Sequence, residues 1–224
     1  LQNGPAWHDE ELANRTVVER RDDATLGAAA PGADLVVDVA FYNAPLLGAL
    51  ARQHPTAPLL VVFRRCETFV RSATIVDGED RQPAGWPEPA KTLTDRERFV
   101  ELGRLRPHPS SAAATAWPRW SGVQRNIWLW HAVNSRLTAL VDELPQAASV
   151  FFEQLAADPA DFWSGCLRAL RLDRSDHLAR CVDSSAVRVN ARTAYQVGPV
   201  GRWSPAERRL YERLALPLEE QIYG

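Results

Sequence analysis

An α/β protein, with a short parallel sheet flanked by helices, is the fold class this sequence predicts, on three observations. Two short apolar, partly β-branched runs, DLVVDVAF (Asp34–Phe41) and PLLVVF (Pro58–Phe63), have the composition of parallel strands covered on both faces. Between them NAPLLGALARQ (Asn43–Gln53) carries apolar residues at helical spacing and stops at His54-Pro55. Strand, helix and strand within about thirty residues make a βαβ crossover, right-handed by default.

The remaining elements follow from local chemistry. A helix is expected to begin near Glu67, and ASVFFE (Ala148–Glu153) is the next strand candidate. Thr94 with Glu97, Ser121 with Gln124, and Ser204-Pro205 with Glu207 are capping boxes, in which a side-chain oxygen and a returning carboxylate or amide satisfy orphan helix donors. They place helix starts near Asp95, Gly122 and Pro205. The Gly122 helix is expected to run to Glu143 with Val123, Ile127, Trp130, Val133, Leu137 and Val141 on one face. Asp158-Pro159 opens another helix that ends near Leu172. The stretch 73–120, rich in Pro, Ala, Gly and Ser around the Asp95 helix, reads as a lid or acceptor-site excursion.

At 224 residues and 25.0 kDa the chain is long enough to bury a core as one domain, 1–224, without staples. A net charge of −2 argues against a general nucleic-acid binder, so any basic site must be local. Cys66, Cys166 and Cys181 form no CxxC pair and have no histidine at metal-ligand spacing; neither a disulfide framework nor zinc is indicated. Reduced buried thiols in a cytoplasmic protein are expected. No run approaches a membrane span, and LQNGPAWHDEEL lacks the basic end and apolar centre of a signal peptide. The sequence contains no methionine, not even at its first position, which is the pattern of a processed or truncated start.

The stretch VVFRRCETFVRS (Val61–Ser72) sets Arg64 and Arg65 at the carboxyl end of a strand, where open α/β sheets bind ligands. A helix beginning there would aim its early amide donors toward the same space, with Ser72 about two turns on. Guanidinium plus hydroxyl is a clamp suited to phosphate. Arginines that merely solvate a surface turn are the competing explanation.

This arrangement resembles the 3′-phosphate-binding segment of the sulfotransferases that use 3′-phosphoadenosine 5′-phosphosulfate (PAPS): an apolar strand, Arg, and Ser eight positions later. Arg64 and Ser72 fall on those places, while Arg65 and Cys66 depart from the acidic or amide residue and proline common between them. VFFEQLAADPADFWSGCLRAL (Val150–Leu170) is similar to the family's strand, Glu-Asp-Leu and Asp-Pro pattern, through Glu153, Leu155, Asp158 and Pro159. VRVNARTAYQVGPVGRWSPAERRLYERL (Val187–Leu214) is similar to its C-terminal stretch, in which Asn-Ala-Arg and Gly-x-x-Gly-x-Trp precede the last helix. WSGVQRNIWLWHAVNSRL resembles the aromatic helix of bacterial members. The family's 5′-phosphosulfate loop has no counterpart; TLGAAAPGADL is the only glycine-bearing candidate and lacks its basic residue. A chain that begins after that loop is expected.

The resemblance implies a P-loop-NTPase-like sulfotransferase fold and in-line transfer of a sulfuryl group from PAPS to a hydroxyl or amine, with adenosine 3′,5′-bisphosphate as the other product. It implies that Arg64, Ser72, Arg192, Gly201, Arg202 and Trp203 bind the nucleotide, with Trp203 either stacking on adenine or anchoring its loop. Asp38 stands where the family places its acidic base, and His131 on the aromatic helix is a second candidate. Trp117, Trp120 and Trp128 suit the wall of a pocket for a small-molecule or carbohydrate acceptor. A homodimer contact through the aromatic segment is a further expectation. A non-catalytic binding or scaffold protein that kept the fold and lost the donor loop is the alternative function.

Overall fold

The computed structural model describes residues 7–22, 41–76, 83–84, 86, 104–172, 175–185 and 197–224. It is mixed α/β and mostly helical, and it divides into two compact units, Leu1–Pro55 with Pro83–Arg119 and Thr56–Gln82 with Trp120–Gly224.

In the first unit α1 (Glu10–Asp22) and α2 (Leu47–Gln53) bury Ala13, Val17, Leu46 and Ala49 against one another. The expected Asn43 helix opens as a tighter 3₁₀ turn, Phe41–Leu46, because Pro45 has no N–H to give and its ring crowds the preceding turn. The expected Asp34–Phe41 strand lies outside the described residues except for Phe41, which begins this turn. The Asp95 helix lies wholly outside them. Of the 73–120 excursion, the structure describes a short helix α4 (Ala112–Ala116), capped by Ser111, and a buried pair, Trp86 and Trp117, in edge-to-face contact at 5.4 Å.

The second unit holds a parallel pair of strands, β1 (Leu59–Phe63) and β2 (Ala147–Phe151), in the register Leu59↔Ala147 to Phe63↔Phe151. Val61 and Phe63 are buried on one face; on the other Leu60 packs with Val150, Phe162 and Cys166 while Val62 is exposed, so the two covered faces that the apolar composition suggests are present, the second only in part. β2 stops two residues short of Glu153, which belongs instead to the first turn of α6 (Phe152–Ala157).

α3 (Cys66–Ala73) follows β1, and α5 (Gly122–Glu143) packs on it, starting where its Ser121 capping box predicts and ending at the expected Glu143. Its buried stripe differs from the expected one. Val133, Leu137 and Val141 are half-buried, whereas Asn126 and Asn134 are buried. Asn126 Nδ2 donates to Thr74 Oγ1 and to Gly122 O, both at 2.9 Å, and Asn134 Nδ2 donates to Trp130 O at 2.7 Å, which removes the cost of burying the amides.

α7 (Pro159–Ala169) ends three residues before Leu172. Arg171 takes a left-handed conformation (φ 58°), and Leu172 N–H reaches back to Leu167 O while Arg171 N–H reaches Arg168 O. This is a Schellman stop with arginine where glycine is usual. α8 (Ser175–Ser185) follows. The chain closes with α9 (Pro205–Leu210), a π turn (Tyr211–Ala215) and α10 (Leu216–Tyr223). Trp203, Leu210, Ala215 and Leu218 from this end pack with Cys66, Val70, Val123, Ile127 and Trp130 to form the main core. No helix among the described residues is long and apolar enough to cross a membrane.

Candidate anion-binding site

β1 delivers Arg64 and Arg65 to its carboxyl end, and α3 begins at once because Cys66 and Val70, four apart, are fully buried on one side. Arg64, Thr68 and Ser72 recur at the same spacing on the opposite side. Arg64 Nε donates to Thr68 Oγ1 at 3.2 Å, and its guanidinium lies 4.7 Å from the centre of the Phe152 ring. Its carbonyl accepts Trp130 Nε1 at 2.7 Å, so α5 holds the backbone from which the guanidinium projects. Among the described residues no carboxylate pairs with Arg64. Ser72 is half-buried, one turn beyond Thr68. Thr68 is the member of this stripe that the two-residue pattern overlooked; its position midway between Arg64 and Ser72 was the available signal.

The start of α3 is arranged differently from the expectation that its amides would face a ligand. Arg65 N donates to Glu153 Oε1 at 2.9 Å and Cys66 N donates to Glu219 Oε1 at 2.7 Å. Each carboxylate has a second donor: Tyr223 Oη at 3.1 Å for Glu153 and Tyr211 Oη at 2.6 Å for Glu219. The Arg65 guanidinium lies 4.2 Å from the centre of the Tyr223 ring. Two of the helix's orphan donors are therefore satisfied from within the protein, and a bound anion is left to side chains. Glu219 is only 5% exposed. Burial, reinforced by the carboxylate each one serves, pushes the Tyr211 and Tyr223 hydroxyls above the ordinary phenol range. The Cys66 thiol is pushed well up, first by burial and then by Glu219 and Glu67.

The Gly-x-x-Gly-x-Trp loop docks on the same helix. Arg71 Nε donates to Val197 O at 3.3 Å, and Val197 and Val200 pack on the core that contains Cys66 and Val70. Trp203 is buried, donates Nε1 to Gly198 O at 2.8 Å and meets Tyr211 edge-to-face at 5.8 Å. Of the two roles left open for this indole, its geometry is that of an anchor. The loop's glycines differ in their surroundings. A Cβ on Gly198 would sit 3.0 Å from Arg202 Cδ, whereas one on Gly201 would meet nothing within 4 Å. At Gly198 the added carbon would press only on the exposed Arg202 side chain, which would have to shift; Gly201 leaves open space beside it. Arg192 lies outside the described residues.

Asp38 lies outside the described residues. His131 lines an open cleft of about 400 Å³ with Ser135, Asp142, Arg213 and Gln221, and none of Arg64, Ser72, Gly201, Arg202 or Trp203 shares it. Trp117 belongs to the first unit, while Trp120 and Trp128 are half-buried in the second. Among the described residues no group of three metal-ligating side chains comes together.

Half-burial holds the His131 pKa below its ordinary value of 6.5. As pH falls past that value the unfolded chain takes up the proton first, so the stability His131 contributes is present above 6.5 and lost as pH falls through its folded pKa. The melting temperature should therefore fall less between pH 7 and about pH 5 in His131→Asn than in the wild type. Equal slopes would contradict this.

No family model, curated protein or solved structure matches the chain.

Proposed function

We propose that this chain is a sulfotransferase-type domain of P-loop-like topology that grips the 3′-phosphate of PAPS and supports sulfuryl transfer to a hydroxyl or amine of a small metabolite or carbohydrate. The observation that carries this reading is a convergence: the helix bearing Ser72 and the loop bearing Gly201 and Arg202 are hydrogen-bonded through Arg71 and Val197, 126 residues apart. Two segments chosen for their sequence patterns lie side by side, and both offer arginine. The residues fit a phosphate in one respect and resist it in another. Arg64 keeps its terminal nitrogens beyond the Nε bond to Thr68, and Ser72 adds a hydroxyl. Glu153, which approaches Thr68 Oγ1 at 3.4 Å, places negative charge beside the same stripe.

In this reading Arg64, Ser72 and Arg202 bind and orient the nucleotide, Gly201 lets its backbone approach, and Trp203 holds the loop in place. PAPS supplies the sulfuryl group together with the bisphosphate that leaves with the bonding electrons. The acceptor's proton passes to a base, and the resemblance is what nominates Asp38, which lies outside the described residues, for that role.

The alternative, a scaffold of this fold without transfer activity, is favoured by one observation: Glu153 and Glu219 already occupy the first amides of α3. Calorimetric titration with adenosine 3′,5′-bisphosphate separates the two. Saturable binding at one site per chain is expected; absence of binding would overturn the enzyme reading and leave the scaffold.

A further inference from the structure

The start of α5, α9 and the π turn after it line a second open cleft, about 540 Å³, in which Trp120, Gln124, Arg209, Glu212 and Arg213 are joined by the apolar Ala206 and Leu210. Its walls are locked together. Ser121 Oγ donates to Glu207 Oε1 at 2.6 Å while Glu207 Oε2 accepts Ser204 N at 2.8 Å, so one carboxylate joins both helix caps. The charge of Glu207 is thereby spent on the scaffold. Gln124 uses Oε1 to accept Ser121 N at 3.0 Å, which leaves its amide hydrogens as donors.

Arg209 and Arg213 are exposed, and among the described residues neither guanidinium has a carboxylate partner. Like charges four residues apart repel unless an anion lies between them. The π turn Tyr211–Ala215 carries Arg213 on this surface. Such turns are rare and concentrate at functional sites.

We propose that this cleft binds an acidic sugar, a uronate or a sugar sulfate. The acid group sits on the arginine pair, the C–H face of the ring on the Trp120 indole, and the hydroxyls on Gln124 and Glu212. An open cleft whose wall is shared evenly between polar and apolar surface suits a ring with hydroxyls on its rim and C–H bonds on its faces; a flat apolar ligand needs an enclosed apolar pocket. The proposal uses none of the residues of the α3 anion site and stands independently of the function assigned to it.

The test is ligand-observed NMR with glucuronate, glucose and inorganic sulfate, on the wild type and on the double variant Arg209→Gln/Arg213→Gln. Both side chains are exposed, and circular dichroism verifies that the variant keeps its helices. Glucuronate is expected to bind at least about tenfold more tightly than glucose, with magnetisation transferred to its ring protons, and the double variant is expected to lose that preference. Equal affinities for glucuronate and glucose, sulfate binding as tightly as glucuronate, or an unchanged double variant would each overturn the proposal.

Discussion

Arg64→Ala is expected to weaken binding of adenosine 3′,5′-bisphosphate by about ten- to a hundredfold, the loss that follows from removing one or two charge-assisted hydrogen bonds to a phosphate. The nucleotide-induced rise in melting temperature should nearly vanish with it. Folding is not the confounder, because Arg64 is anchored mainly through its carbonyl, which the substitution keeps on Trp130 Nε1. Ser72→Ala should cost less, about fivefold, as befits a neutral hydroxyl. Arg168→Ala, an exposed arginine near the end of α7, controls for net charge and should leave the affinity unchanged. Titration calorimetry on the three variants checks the order. An Arg64 variant that binds as the wild type does would remove the basis of the proposed function.

Glu219→Ala carries the largest expected effect on stability. The substitution strips the acceptor from two groups, the Cys66 amide at 2.7 Å and the Tyr211 hydroxyl at 2.6 Å, inside the main core. Each stranded donor costs about 1–3 kcal/mol, so a loss of roughly 3 kcal/mol in urea denaturation is expected. Glu219→Gln retains one oxygen and turns two N–H donors toward the second partner, so it should recover only part of the loss. Tyr211→Phe removes one donor and leaves the carboxylate bonded to Cys66 N; about 1 kcal/mol is expected. A Glu219→Ala loss under about 1 kcal/mol would show that the clamp contributes little.

Elements with local chemical punctuation were legible in the sequence, and contacts between distant segments were not. The Ser121 and Ser204 boxes place the starts of α5 and α9 because the two bonds of each box close within four residues. β1 and β2 are legible as apolar runs, but the crossover expected from the sequence joins Asp34–Phe41 to Pro58–Phe63, and the parallel pairing of β1 with β2, from Leu59 with Ala147 onward, is not encoded in either run. The apolar spacing of Asn43–Gln53 puts Pro45 inside a helix, but its ring crowds the carbonyl four residues back, and the chain there forms a 3₁₀ turn. Asn126 and Asn134 interrupt the apolar stripe of α5, and only the tertiary structure supplies the partners that let them be buried.

The same division runs through the candidate site. Arg64 and Ser72 were recognisable by spacing, and the Gly-x-x-Gly-x-Trp loop by pattern, since both are local. Glu219 was not: it meets Cys66 across 153 residues, and no periodicity encodes that meeting. The consequence for function is specific. Glu153 and Glu219 take the amides that a bare helix start would offer an anion, which concentrates the expected phosphate affinity in guanidinium and hydroxyl groups.

The proposed function requires that the protein read the 3′-phosphate of the nucleotide, and competition between adenosine 3′-monophosphate and adenosine 5′-monophosphate measures this most directly. The proposed role of Arg64, Ser72 and Arg202 as the 3′-phosphate clamp of the family that the sequence resembles predicts that the 3′-monophosphate binds at least about tenfold more tightly and that Arg64→Ala erases the difference. Equal affinity for the two isomers in the wild type, or a preference for the 5′-monophosphate, would contradict it.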